Sequence, residues 1–279
     1  MHASCLCGDV GWDVEGPFEL MHHCHCGMCR KAHGTAFATV VAAPADRLRM
    51  RGLEGIVTWE SSPGFWRRFC GRCGSSLPGQ PFDGRVFVPC GNLEADPGVP
   101  ILGHIFVASK APWYEIADAL PRFDAYPPGF EAPIVADRVL AARPAGGTRG
   151  SCHCGAVAFE YAGDPILCRN CHCGRCRRAR SAAHASNLGV RVNQFRWVQG
   201  ADHARFYKVP DAKFFAQVFC DVCGAKLPRV DESRDLVVIP MGSLDDDPGV
   251  RPTEHIFVAG KAPWFEIADA LPQHAAFAP

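Results

Sequence analysis

Val10, Trp12 and Val14 alternate with polar or small residues, and Val157, Phe159 and Tyr161 do the same much later in the chain. A period of two buries one side of a segment and leaves the other to solvent, so both stretches read as half-buried β-strands. Arg85–Pro89 and Leu236–Pro240 are short apolar runs, each followed by a Gly-containing turn, and are again strand-like. A different period follows Pro112, where Trp113, Ile116, Ala117 and Leu120 fall on one helical face and Pro121 ends the segment. The same pattern recurs in Trp264, Ile267, Ala268 and Leu271 between Pro263 and Pro272. These spacings predict a mainly β protein with one short helix near the end of each of two similar units.

The units are copies. Ser-Cys-Leu-Cys-Gly at 4–8 returns as Ser-Cys-His-Cys-Gly at 151–155, and Cys-His-Cys-Gly-Met-Cys at 24–29 returns as Cys-His-Cys-Gly-Arg-Cys at 171–176. Phe-Cys-Gly-Arg-Cys-Gly at 69–74 answers to Phe-Cys-Asp-Val-Cys-Gly at 219–224. His-Ile-Phe-Val-Ala-Ser-Lys-Ala-Pro-Trp at 104–113 answers to His-Ile-Phe-Val-Ala-Gly-Lys-Ala-Pro-Trp at 255–264. The kept order indicates duplication of a whole domain. The expected division is repeat one at 1–125, a linker at 126–148 and repeat two at 149–279. The linker is rich in Pro and Gly, with Pro127, Pro128, Gly129, Pro133, Pro144, Gly146 and Gly147.

Composition narrows the classes. The 279 residues suit two domains of average size, and 48% hydrophobic against 21% charged residues suits packed cores. Lys plus Arg number 29 and Asp plus Glu number 29, so no chain-wide basic field exists to attract nucleic acid or an anionic membrane. No apolar run approaches a membrane span, and the N-terminus lacks an apolar leader. A cytoplasmic protein without nucleic-acid or membrane partners is expected.

The sixteen cysteines are the anomaly. Each repeat contributes seven to the shared framework, an odd number that disulfides within one domain cannot pair, whereas four and three divide naturally between two metal sites. Zinc suits thiolate-rich tetrahedral sites, with iron the competitor. Cys5, Cys7, Cys70 and Cys73 form one expected closed structural site, and Cys152, Cys154, Cys220 and Cys223 its copy. Cys24, Cys26 and Cys29 offer only three thiolates, so an ion there keeps a position for substrate unless His25 fills it. In the second copy Cys171, Cys173 and Cys176 are joined by Cys168, which stands where repeat one has Met21 and is expected to close that site with a fourth sulfur. Cys90, opposite Met241 in the alignment, reads as core packing.

Cations crowd the three-cysteine clusters. Arg30 and Lys31, and in the second copy Arg175, Arg177, Arg178 and Arg180, suit neutralisation of metal thiolates or contact with an anionic small molecule. Lys110 and Lys261 suit either a substrate carboxylate or simple solvation.

These motifs, together with a Gly-x-Leu turn at 91–93 and 242–244, resemble the family of glutathione-dependent formaldehyde-activating enzymes, which includes the CENP-V-like proteins. The resemblance runs through both repeats. It implies a zinc-binding β-tent fold, a structural Cys₄ zinc, a second zinc on the Cys-His-Cys-x-x-Cys segment, and carbon–sulfur lyase chemistry on glutathione–aldehyde adducts. Repeat one keeps the pattern better. Repeat two has Ser181 for Gly34, Gln217 for Arg67 and Ala225-Lys226 for Ser75-Ser76.

The expected partners are therefore a thiol and an aldehyde, with Cys24, Cys26 and Cys29 as the catalytic zinc ligands and Arg30, Lys31 and Lys110 as glutathione contacts. His22, His23, His25 and His33 are nearby candidates for proton transfer. The alternative is a non-catalytic zinc-stabilised binding module or a glutathione carrier.

Overall fold

A computed structural model describes residues 1–130, 132–135 and 147–278. Repeat one opens with a three-stranded antiparallel sheet of His2–Ser4, Gly11–Val14 and Leu48–Arg51. Trp12 and Val14 are fully buried while Asp13 between them is not, as the period of two requires. A four-stranded sheet follows, in the order Arg85–Pro89, Ala38–Pro44, Met21–Cys24 and Ile101–Ile105, the last running parallel to its neighbour. The hairpin Ile56–Ser62/Phe65–Cys70 completes the unit. Repeat two has the same three parts, with Arg229–Asp231 added to the edge of its larger sheet. No strand pairing crosses between the repeats among the described residues. None of their helices is long and apolar enough to cross a membrane. Pro144 and Gly146 of the expected linker lie outside the described residues.

The expected C-terminal helices do not form. Burial alternates from Trp113 to Leu120, with Ile116, Asp118 and Leu120 turned inward and Ala117 exposed, so the segment is an extended strap. Its carbonyls are already taken: Lys110 Nζ donates to Tyr114 O, and Arg122 Nη2 donates to Ile116 O at 3.1 Å and Asp118 O at 3.0 Å. Side chains thus occupy acceptors that a helix would fill with its own N–H groups. Lys261 donates to Phe265 O in the second copy.

The helices lie instead directly after the Cys-His-Cys motifs. Helix α1 is Gly27–His33 and α2 is Gly174–Arg180. Each begins on a cysteine, the Cys26 sulfur accepting from Cys29 N and the Cys173 sulfur from Cys176 N, both at 3.4 Å. A helix start capped by sulfur carries no Ser, Thr, Asp or Asn, so the usual sequence signal is missing. Ser181 ends α2 in the left-handed region at φ +53°, where Gly34 ends α1. Its hydroxyl donates to Ser76 O across the repeats at 2.9 Å, which offsets the backbone cost.

The repeats pack against each other by exchange. Helix α1 leans on the turn Met241–Ser243 of repeat two, and α2 leans on Cys90–Asn92 of repeat one. A side chain on Gly91 would lie 2.0 Å from Ala182 N, which explains the glycine in that turn. Lys31 Nζ bonds Ser151 O at 2.8 Å and pairs with Asp245, while Arg178, its counterpart, bonds Ser4 Oγ at 3.1 Å. Phe69 and Phe219, each beside a Cys-x-x-Cys turn, meet with ring centroids 6.1 Å apart. The buried core runs continuously through residues of both copies.

Candidate functional site

The folded sheets gather the framework cysteines into four groups: Cys5, Cys7, Cys70 and Cys73; Cys152, Cys154, Cys220 and Cys223; Cys24, Cys26 and Cys29; Cys171, Cys173 and Cys176. Within each group the sulfurs lie within 4.8 Å of one another, and all sixteen cysteines are free thiols. Neighbouring sulfurs sit 3.3 Å apart in Cys5–Cys7, 3.6 Å in Cys24–Cys26 and 3.8 Å in Cys154–Cys220. A tetrahedral zinc with Zn–S bonds of about 2.3 Å sets its sulfurs roughly 3.7 Å apart, so the donor sets and spacings fit that ion.

Cys168 is not part of the second cluster. It lies on the strand Leu167–Cys171, three residues before Cys171, and residues three apart on a strand face opposite sides. Its thiol instead meets Met241 Sδ at 3.4 Å in the core. Repeat one buries the same two residue types in exchanged positions, Met21 and Cys90. The expected fourth sulfur is therefore a packing residue.

His25 also stays out of its cluster. Its Nε2 is 2.8 Å from His104 Nδ1, and His104 Nε2 is 3.0 Å from Asp118. The same His–His–Asp chain appears as His172, His255 and Asp269. Among the described residues, neither three-sulfur cluster has a fourth protein ligand.

What surrounds the two triads differs. In repeat one Cys24, Cys26 and Cys29 form part of the wall of a cavity of about 310 Å³, bounded by the 56–70 hairpin, the four-stranded sheet and Tyr126 to Phe130. Phe65 is turned toward Phe82, with ring centroids 5.6 Å apart. Its counterpart Phe215 packs directly on the cluster of Cys171, Cys173 and Cys176, with Phe257 and Ala278 beside it. The sulfurs of both triads are similarly buried, but the first borders this cavity while Phe215 packs against the second.

Arg67 is the cation at the first triad. Its Nη2 lies 3.5 Å from the Cys29 sulfur. Hydrogen bonds from the Cys24 and Cys26 thiols, reinforced by the Arg67 charge, hold Cys29 well below the usual thiol range. Cys24 is pushed well up by its bonds to Cys26 and Cys29 and by burial. Gln217 stands at this position in repeat two and donates to Ala179 O at 3.0 Å.

The cations expected to meet substrate sit elsewhere. Arg30, Lys31 and Lys110 do not line the cavity; Lys31 ties the repeats together and Lys110 holds the strap. Of the four candidate histidines His22 and His33 line the cavity. His23 bonds Thr39 at 2.8 Å, and His33 bonds Arg180 O at 2.7 Å. Sequence reasoning noted Arg67 only as part of a motif; the replacement by Gln217 was the available sign that it serves one repeat alone.

Comparison with known proteins places both repeats in one family. The chain matches the family model described as glutathione-dependent formaldehyde-activating enzyme over residues 1–109 and 147–260. A protein of Halomonas elongata named "Putative glutathione-dependent formaldehyde-activating enzyme" is 32% identical over 125 residues, covering 42% of this chain and 79% of that one. A crystal structure of a Rhodobacter sphaeroides protein shares 27% identity, covers 37% of this chain and 97% of the other, and superposes with a TM-score of 0.29.

Proposed function

The chain belongs to the glutathione-dependent formaldehyde-activating enzyme family, and from that premise we propose that repeat one catalyses the reversible addition of the glutathione thiol to formaldehyde. The reaction is of the carbon–sulfur lyase type. In the forward direction a sulfur–carbon bond forms, the carbonyl π bond opens, and the thiol proton ends on the new hydroxyl of S-hydroxymethylglutathione. No electrons are gained or lost overall. A zinc ion on Cys24, Cys26 and Cys29 would lower the pKa of a thiol or polarise a carbonyl oxygen in the position those three sulfurs leave open.

The chain's own residues supply the rest. The sulfur triad on the cavity wall is the observation that carries the reading, because three converging sulfurs without a fourth protein ligand among the described residues leave a place for substrate. Arg67 lies beside the Cys29 sulfur and offers a cation to the oxygen that becomes negative during addition. The apolar walls of the cavity lower the local dielectric, which strengthens that attraction. In repeat two Phe215 and Gln217 occupy the corresponding places, so repeat two serves as the structural partner.

Exchange-transfer NMR on glutathione and formaldehyde tests the proposal. The metal-loaded protein is expected to accelerate exchange. Cys26→Ser should abolish the effect, Arg67→Gln should reduce it at least tenfold, and Cys173→Ser should leave it intact. Binding of glutathione without acceleration would indicate a carrier and overturn the catalytic reading.

A further inference from the structure

We propose that the aldehyde taken by repeat one carries an apolar aryl or alkyl group, so that the adduct it forms or cleaves is bulkier than the formaldehyde adduct. This rests on the thiol–aldehyde reading above and adds to it the class of the carbonyl substrate.

The argument begins with strand alternation. In Ala38–Pro44 and Arg85–Pro89 the core side is taken by Val41, Ala43, Val86 and Val88, all fully buried. The next residues along these strands, Val40 and Phe87, therefore face the other way, into the cavity. Leu20 and Leu102 join them from the neighbouring segments. A sheet face turned from the core is ordinarily polar, and here it is apolar.

Repeat two provides an internal control with the same topology. Where repeat one has His22, Val40, Phe87 and Leu102, repeat two has Arg169, Asn187, Val238 and Thr253. Arg169 pairs there with Glu254 at 3.4 Å. Of the four apolar wall residues, Val40 and Leu102 give way to Asn187 and Thr253, while Leu20 and Phe87 keep apolar counterparts in Leu167 and Val238, so the fold does not itself require apolar residues at Val40 and Leu102. Val40 and Leu102 accompany the triad that borders the cavity, and their polar replacements accompany the triad against which Phe215 packs.

The mouth shows the same chemistry. Trp66, Phe82 and Leu102 line the cavity yet remain 42%, 43% and 41% exposed. Large apolar groups left in water around a concave site mark a place where an apolar ligand is bound. The charged ends of glutathione need polar partners, which Ser61, Ser62, Arg68 and Gln80 offer from the hairpin and its following loop. The sheet wall, with Leu20, Val40, Phe87 and Leu102, offers nothing to a carboxylate and suits a hydrocarbon substituent attached next to the sulfur.

Stable thioethers test this without turnover. Titration calorimetry on the full-length, metal-loaded protein would compare glutathione with its S-methyl, S-hexyl and S-benzyl derivatives. The S-hexyl and S-benzyl compounds are expected to bind at least tenfold tighter than the S-methyl compound. Writing the second repeat's residues into the first, as Val40→Asn/Phe87→Val/Leu102→Thr, should remove that preference. If the triple variant does not fold, Leu102→Thr alone, at an exposed position, should reduce it. Equal affinity across the series overturns the proposal and leaves the formaldehyde reaction standing. Failure of every thioether and of glutathione to bind, with no acceleration of exchange, overturns the underlying reading instead.

Discussion

A methyl group on Gly74 would lie 2.3 Å from Cγ of Phe219, a residue of the other repeat. Gly74 closes the Cys70-x-x-Cys73 turn at φ +73°, and Phe219 precedes Cys220 of the equivalent turn. The relationship is reciprocal, since a methyl on Gly224 would lie 2.6 Å from Phe69. The two four-cysteine knuckles are thus stacked, and Lys226 Nζ donates to the carbonyls of both Gly74 and Gly224.

Gly74→Ala should therefore be far more costly than Gly8→Ala. Both glycines follow a ligand cysteine with positive φ, but a methyl on Gly8 meets nothing within 4 Å. Gly8→Ala should cost about 1 kcal/mol of backbone strain and Gly74→Ala more than about 3 kcal/mol, because it also forces the repeats apart. Urea denaturation of the two variants measures the difference.

The exchange of Cys168–Met241 for Met21–Cys90 predicts compensation. Cys168→Met overpacks the second core and Met241→Cys leaves a void there, each costing about 1–3 kcal/mol. The double variant restores the volume and should fall within about 1 kcal/mol of the parent. Metal analysis of Cys168→Ser should find the same metal content as the parent.

Metal loss should act differently at the two kinds of site. Cys73→Ser opens a four-sulfur site that joins the first strands to the end of the hairpin, segments about 65 residues apart. It should remove one metal ion per chain and cost on the order of 10 kcal/mol. Cys29→Ser should lower stability by no more than about 2 kcal/mol, since its cluster holds a single strand–helix corner. Elemental analysis and thermal melting together distinguish the cases.

Acid should weaken the contact between repeats. Burial pulls His33 down to about 4, and His184, packed against Phe37 across the interface, lies well below its ordinary value because of burial and the neighbouring His172, His255 and His23. Each group stays neutral in the fold but takes a proton near pH 6.5 once unfolded. Between those values the unfolded chain binds more protons, so stability falls as pH drops, by on the order of 3 kcal/mol for His33 when the shift is fully expressed. His184→Phe, which copies Phe37, should flatten the dependence of the urea midpoint between pH 7 and 5. An unchanged slope would show that His184 does not contribute.

The duplication, the mainly β class and, Cys168 apart, the membership of the cysteine groups were legible in the sequence. Alternation places Trp12 and Val14 wherever a core lies, and paired cysteines before glycine make turns whose sulfurs converge on one side. Both depend on residues close along the chain, so spacing carries the information. The helices were misplaced for the same local reason. Trp113 to Leu120 has helical spacing, but Lys110 and Arg122 take its carbonyls, while α1 and α2 start on sulfur caps that no propensity scale anticipates.

Tertiary structure alone decided what depends on residues distant in sequence. Cys168 and Cys171 look like one ligand pair until the strand turns them to opposite faces and Met241 receives the first. Lys31 looks like a substrate contact until Ser151 and Asp245 arrive from the other repeat. Phe65 and Phe215, equivalent in sequence, come to lie differently, one against Phe82 and the other against the second sulfur triad. A spacing rule fixes which groups can meet locally; close packing between repeats settles which of them do.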